Sequence, residues 1–263
     1  LVGKGFVVQV GAHVQDFGHH AERRRLDRVT RRFEIEHEVT YVGSPLGGGI
    51  YVEVPYGADA GLVDVEIENA VEAPFYSLRS FDTTTPEQWK ERRTAGVPWS
   101  VFVSDHYMIH VPTNWVYAKD DPGTSFLRDW DISMQAFSES QGIPPEERND
   151  VVLYMGTDVN IWWGVYGIGY PQINNTYDPR GDEGGDSQHP MVNNPVEAAV
   201  DFHELGHAQL QPGFRGETET LNEIPATYVM NTRFDFDLDR AFAWSSFGTG
   251  RCAIPEPSRW KCT

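Results

Sequence analysis

Two histidines one helical turn apart, with a glutamate beside the first, are the residues of this sequence best suited to chemistry: His203-Glu204-Leu205-Gly206-His207. On a helix, a spacing of four puts both imidazoles on one face, where their rings meet at a single point. Glu204 stands next to that point, placed to take a proton from a water held there. This is the H-E-x-x-H arrangement with which hydrolases bind zinc and activate water. Zinc in such a site lowers the pKa of a water from about 15.7 towards 7 and polarises a scissile carbonyl. The bland alternative is a helix that happens to carry two exposed histidines. Burying two imidazoles and a carboxylate without an ion would be expensive, because each needs a compensating partner.

The flanking residues predict the helix that the motif needs. Asn194-Pro195 supplies an N-cap and a proline at the first helical position. Val196–Gln211 then contains no breaker except Gly206, and Pro212-Gly213 ends the run. A catalytic zinc keeps three protein ligands and one open position, so a third ligand is expected downstream. No cysteine or histidine follows His207 closely, which points to a carboxylate: Glu217, Glu219 or Glu223. Spacing does not choose among the three. Tyr170, His189 and Tyr228 are candidates for a group that polarises the substrate carbonyl alongside the ion.

Ahead of this segment the period is different. Val7–Val10, Phe33–Glu36, Ile50–Val54 and Val63–Ile67 alternate or bunch β-branched residues between turn signals and are expected as strands. Thr85-Pro86-Glu87-Gln88 opens a short helix, with Thr85 as N-cap and Gln88 completing a capping box. More strand is expected over Trp99–Val103 and Tyr107–Val111. From about Thr124, Phe126, Leu127, Trp130, Met134 and Phe137 recur at helical spacing until Gly142, as a core-facing stripe. Asn174–Asn194 reads as a long solvated loop; its Arg180-Gly181-Asp182 tripeptide and carboxylates need no special role. Strands first and helices later predict an α+β protein, a single catalytic unit over 1–263 with a β-rich lobe to about 120 and a helical lobe from about 121.

Composition narrows the partners. Lys and Arg number 21 against 39 Asp and Glu, a net charge of −18, so neither nucleic acid nor an anionic membrane surface is favoured. No run of about 18 apolar residues exists to span a bilayer. The chain opens at Leu1 without an initiating Met or a basic-then-apolar leader, as in a mature form or fragment whose signal peptide has gone. Cys252 and Cys262 are expected to close a small disulfide loop, which suits an oxidising compartment. Asn174-Asn175-Thr176 is a glycosylation sequon. A secreted, extracellular protein is expected.

Several short elements, in order, resemble one family: the enhancin-like and mucin-degrading gluzincins, peptidase family M-sixty. They are Ser44-Pro45-Leu46-Gly47-Gly48-Gly49-Ile50-Tyr51, then Val97-Pro98-Trp99 with Asp105-His106 and Val111-Pro112-Thr113. Gly169-Tyr170-Pro171 follows, then His203–His207 with its glycine, and last Glu219-Thr220-Leu221-Asn222-Glu223-Ile224-Pro225-Ala226. The resemblance spans roughly Val7 to Trp244. It implies a thermolysin-like zinc lobe behind a β-rich portion, with Zn2+ held by His203, His207 and Glu219 and with Glu204 as catalytic base. It also implies activity on glycosylated, mucin-type O-glycoprotein substrates. Glu223, one turn beyond Glu219, would accept the outer N–H of a zinc-bound imidazole; a different gluzincin pattern would make Glu223 the ligand instead. The competing function is a non-catalytic glycan- or protein-binding module that keeps the fold, and an intact Glu204 weighs against it.

Overall fold

Alternating β-branched residues form strands only where a neighbouring edge takes their backbone hydrogen bonds. The structure is a computed structural model that describes residues 1–11, 26, 30–150, 152–158, 165–166, 172–175, 190–209 and 221–245. It supplies two sheets. In the first, β1 (Val7–Val10) lies antiparallel between β2 (Arg31–Glu34) and β3 (Ile50–Glu53). Val8 stands between Phe33 and Val52, and Arg32 reaches across β1 to pair with Glu53.

The second sheet is built from β4 (Phe75–Arg79), β5 (Asp82–Thr83), β6 (Trp99–Val103), β7 (Tyr107–Pro112), β8 (Leu153–Asp158), β9 (Val165–Tyr166) and β10 (Gln172–Asn175). Its order is β5-β4-β6-β7-β8-β10-β9. β6 and β7 form an antiparallel hairpin, while β4 with β6, β7 with β8 and β8 with β10 are parallel. Strand therefore continues well past residue 120: β8 to β10 complete the sheet that β4 to β7 begin.

The expected strand at Val63–Ile67 does not form. Its backbone has no hydrogen-bond partner among the described residues, and a period-two pattern forms no strand without a partner edge.

The helices begin where local chemistry favours them. α1 (Pro86–Arg92) has the full capping box: Thr85 Oγ1 accepts from Gln88 N at 3.2 Å, and Gln88 Oε1 accepts from Thr85 N at 2.8 Å. It buries Trp89, whose Nε1 donates to Lys119 O. After the single turn α2 (Thr113–Val116), a π-helical turn at Gly123–Leu127 leads into α3 (Arg128–Ser140). The aromatic stripe of α3 is fully buried, and Gly142 ends the segment with a φ of +72°.

α4 (Ala199–Gln209), α5 (Glu223–Arg233) and α6 (Leu238–Ser245) follow. α5 packs on both α3 and α4, and α6 packs on α5. One core joins the helices to the sheet through Tyr107, Ile109, Trp130, Phe137, Phe202 and Val229. The architecture is α+β, a β-rich N-terminal portion followed by the helices that carry the motif.

α4 starts later than its sequence suggests. Asn194 does cap, accepting from Val196 N at 3.0 Å, but what it caps is a short 3-10 turn over Pro195–Glu197. Ala198 (φ −106°, ψ 40°) breaks the run, and the α-helix begins at Ala199.

Candidate metal centre

On α4 the two histidines stand one turn apart with ring centroids 4.9 Å from each other and planes at 89°. One ligand atom from each of His203, Glu204 and His207 lies within 4.8 Å of the others. His203 is buried, whereas Glu204 and His207 are half-buried, so the cluster has a sheltered floor and an accessible mouth. Phe202 and Leu205, on the opposite face of α4, are fully buried.

The floor is fixed from the next helix. His203 Nδ1 donates to Glu223 Oε1 across 2.7 Å, and Glu223 stands at the first residue of α5. A carboxylate can only accept, so it selects the tautomer with the proton on Nδ1 and assigns Nε2 to an incoming ion. That contact needs the two helices very close together, and Gly206 permits it. A Cβ at position 206 would meet Asn222 Cβ at 2.8 Å, its Cα at 3.0 Å and its carbonyl oxygen at 3.1 Å. Asn222 is wholly buried, and among the described residues neither of its amide atoms has a hydrogen-bond partner. The reason for the glycine in the motif is thus the start of the next helix. A glycine mid-helix, which is unfavourable by propensity, is the sequence signal for such a contact.

These residues fit a zinc ion. Two imidazoles at one point suit its ligand preference, and a carboxylate on the outer nitrogen is the support that zinc-bound histidines typically have. Of the candidate third ligands, Glu223 is engaged with His203, while Glu217 and Glu219 lie outside the described residues. So do Tyr170, His189, Trp162, Trp163, Arg180–Asp182, Cys252 and Cys262. Tyr228 belongs to α5, but its hydroxyl turns to Glu139 Oε2 of α3 at 3.4 Å, beside the Arg233–Glu139 ion pair. It takes no part in the cluster. β9 and β10 flank α4, and β9 is the last strand of its sheet.

The support behind α4 was not apparent from the motif. Tyr107 of β7 stacks on Trp130 of α3 (5.0 Å, 19°), and Trp130 stacks on Phe202 of α4 (5.1 Å, 23°). Trp244 of α6 meets Phe202 edge-on at 5.6 Å, and its Nε1 donates to Val196 O at 2.7 Å. Burial, together with the nearby Asp201 carboxylate, pushes the Tyr107 hydroxyl well above its ordinary pKa.

Known proteins are similar to this chain in sequence and fold. The family model "Peptidase M60, enhancin and enhancin-like" matches residues 69–246, and that of the N-terminal domain of M60-like peptidases matches residues 1–68. TRPM8 channel-associated factor 2 of Homo sapiens is 31% identical over 242 residues, covering 87% of this chain and 24% of that protein. The Mus musculus factor 2 is 32% identical over 170 residues, covering 64% and 18%. The chain thus spans about a quarter or less of these relatives.

Among solved structures, the M60 catalytic domain of Clostridium perfringens ZmpC, in complex with the sialyl T antigen, superposes with a TM-score of 0.55. It is 13% identical, with 88% of this chain and 48% of that one covered. The ZmpB metallopeptidase of the same organism gives 0.56 at 14% identity, with 93% and 51% covered. At such identities the likeness is one of fold, and it agrees with the family match over the segment that carries His203, Glu204 and His207: the chain belongs to the enhancin-like M60 peptidase family.

Proposed function

We propose that this chain is a secreted, zinc-dependent endopeptidase that cleaves glycosylated proteins of the mucin-type O-glycoprotein class. The observation that carries the reading is the His203–Glu223 contact beneath the His203, Glu204 and His207 cluster. It orients one imidazole for an ion, which a helix with two incidental histidines has no cause to do. His203, His207 and Glu219 are the proposed ligands. Bound there, zinc supplies Lewis acidity towards a water and a scissile carbonyl. Glu204 takes the proton of the attacking water and passes it to the leaving amine, the general-base and general-acid roles of one carboxylate. The outer edge of β9, beside α4, offers backbone groups to an extended peptide, which would add as a further strand. The glycan preference rests on the family, on the sialyl T antigen bound by the Clostridium ZmpC domain, and on the aromatics Trp162, Trp163 and Tyr166 in and ahead of β9. Aromatic faces suit the apolar faces of sugar rings.

A second reading is a non-catalytic binding module, favoured by relatives named channel-associated factors. One comparison separates the two. Glu204→Gln is expected to retain one zinc per chain, measured by metal analysis, and to lose cleavage of an O-glycosylated peptide. Cleavage unchanged in the variant removes Glu204 as the base, whereas cleavage absent from the parent across glycosylated and bare peptides removes the peptidase reading and leaves the module.

A further inference from the structure

Residues 62–68 have the sequence of a β-strand but, among the described residues, no sheet to join. Leu62, Val63, Val65 and Ile67 alternate with Asp64, Glu66 and Glu68 from Val63 onward, the pattern of a strand with one apolar and one charged face. Positive-φ residues bound the stretch: Gly61 at +62° and Asn69 at +58°. All of residues 56–73 are exposed. Leu62 is wholly so, and Val63, Val65 and Ile67 are 44%, 52% and 49% exposed. Among the described residues, nothing donates to or accepts from the backbone of residues 62–73.

An unpaired edge of this kind is normally blunted with lysine, proline or a bulge, because it templates pairing with another chain. Here the stretch is seven residues long and free of lysine and proline, about the length of an ordinary strand.

We propose that residues 62–68 dock an extended protein segment of alternating basic and apolar residues by strand addition. Backbone hydrogen bonds would give affinity and alternate side chains would give specificity. The charges select the occupant. In a sheet, Asp64, Glu66 and Glu68 share one face with the same face of the added strand. A second copy of this chain would set carboxylates opposite carboxylates, and like charges directly opposite destabilise a pair. A strand with Lys or Arg at every second position sets opposite charges there and lays its apolar residues on Val63, Val65 and Ile67. The chain's net charge of −18 favours the same partner at long range.

The test uses the whole chain and a fluorescein-labelled peptide of four Lys-Val repeats. Two controls accompany it: its Glu-Val counterpart, and a peptide with the same lysines and valines in two blocks. The alternating basic peptide is expected to bind about tenfold or more tighter than either control, the worth of a few cross-strand pairs. Val65→Pro, which keeps the charge but removes an amide donor from an exposed, unpacked stretch, is expected to lose about tenfold. The amides of residues 63–68 should exchange rapidly in the unliganded chain and become protected with the peptide. Equal binding of the blocked peptide reduces the contact to charge, and full binding by Val65→Pro places it elsewhere. Protection without peptide means that the chain itself covers the segment, and a dimer dissolved by Val65→Pro gives the edge to a second copy. Each of these four results overturns the proposal.

Discussion

Gly206 shows how much one hydrogen atom in place of a side chain accomplishes. The atoms that a Cβ would meet at 2.8–3.1 Å include the Cα and carbonyl oxygen of Asn222, which cannot rotate aside as a side-chain tip would. Gly206→Ala is expected to push the start of α5 away from α4 and to carry Glu223 off His203, where the contact is now 2.7 Å. Loss of an outer partner of a metal-bound histidine typically costs about 10–100-fold in metal affinity. Competition with a chelator should find both Gly206→Ala and Glu223→Ala in that range, with Glu223→Gln losing less because an acceptor oxygen remains. A Gly206→Ala protein that binds zinc as tightly as the parent would show that the close approach serves packing only. The motif residues are legible in the sequence because their geometry is set by helical spacing. The reason for the glycine is not, because Asn222 belongs to another helix and only the fold brings it there.

At the level of elements, α4 is held from behind by the rings of Tyr107, Trp130, Phe202 and Trp244. Trp130 is the central one, fully buried and bonded through Nε1 to Met191 O at 3.1 Å. Trp130→Ala should destabilise the protein by about 3–5 kcal/mol in urea unfolding, and Trp130→Phe by much less. An equal effect of the two would place the loss in the indole's Nε1 bond to Met191 O rather than in the stacked ring or the volume it fills.

A second brace ties the β6–β7 turn to α3, where Asp131 Oδ1 accepts from His106 N at 3.0 Å and from His106 Nδ1 at 3.1 Å. Burial alone would raise the Asp131 carboxyl. The hydrogen bonds from His106 and Ser104 outweigh it and hold the pKa below the ordinary value. A depressed folded-state pKa stabilises the fold above the unfolded-state value, and that stability is lost as pH falls through the folded one. Melting temperatures below about pH 4 should therefore fall more steeply for the parent than for Asp131→Asn, which starts lower at neutral pH; parallel curves would exclude the brace as an acid-labile contact.

What could be read in advance at this scale was local: the capping box at Thr85 and Gln88, and the stripe of α3. The break at Ala198, and Val63–Ile67 standing unpaired among the described residues, depend on what surrounds each segment, and no window of sequence contains that.

Across the whole molecule, the three-stranded sheet meets the larger one through Tyr51 of β3, set edge-on to His110 of β7 at 5.9 Å, with His110 stacked on Trp99 of β6 at 4.9 Å. The candidate metal centre is on the other part of the fold, where α4 and α5 converge, so an ion there should stabilise the helices and leave β1 to β3 indifferent. Binding to the folded chain alone adds about 2.7 kcal/mol when free zinc is 100 times its dissociation constant. For a protein of this size each kcal/mol moves the melting temperature by about 2–4 °C. Chelation should therefore lower it by about 5–11 °C. His203→Ala/His207→Ala should melt near the chelated value and ignore the chelator, while Glu204→Gln should respond like the parent, because its imidazoles and their carboxylate partner are intact. Hydrogen exchange should quicken on chelation in α4 and the first turn of α5 but not in β1, β2 or β3. A parent whose melting ignores chelation has no ion bound between these helices, and exchange that quickens equally in both sheets would mean that the ion holds the whole chain rather than one end of it.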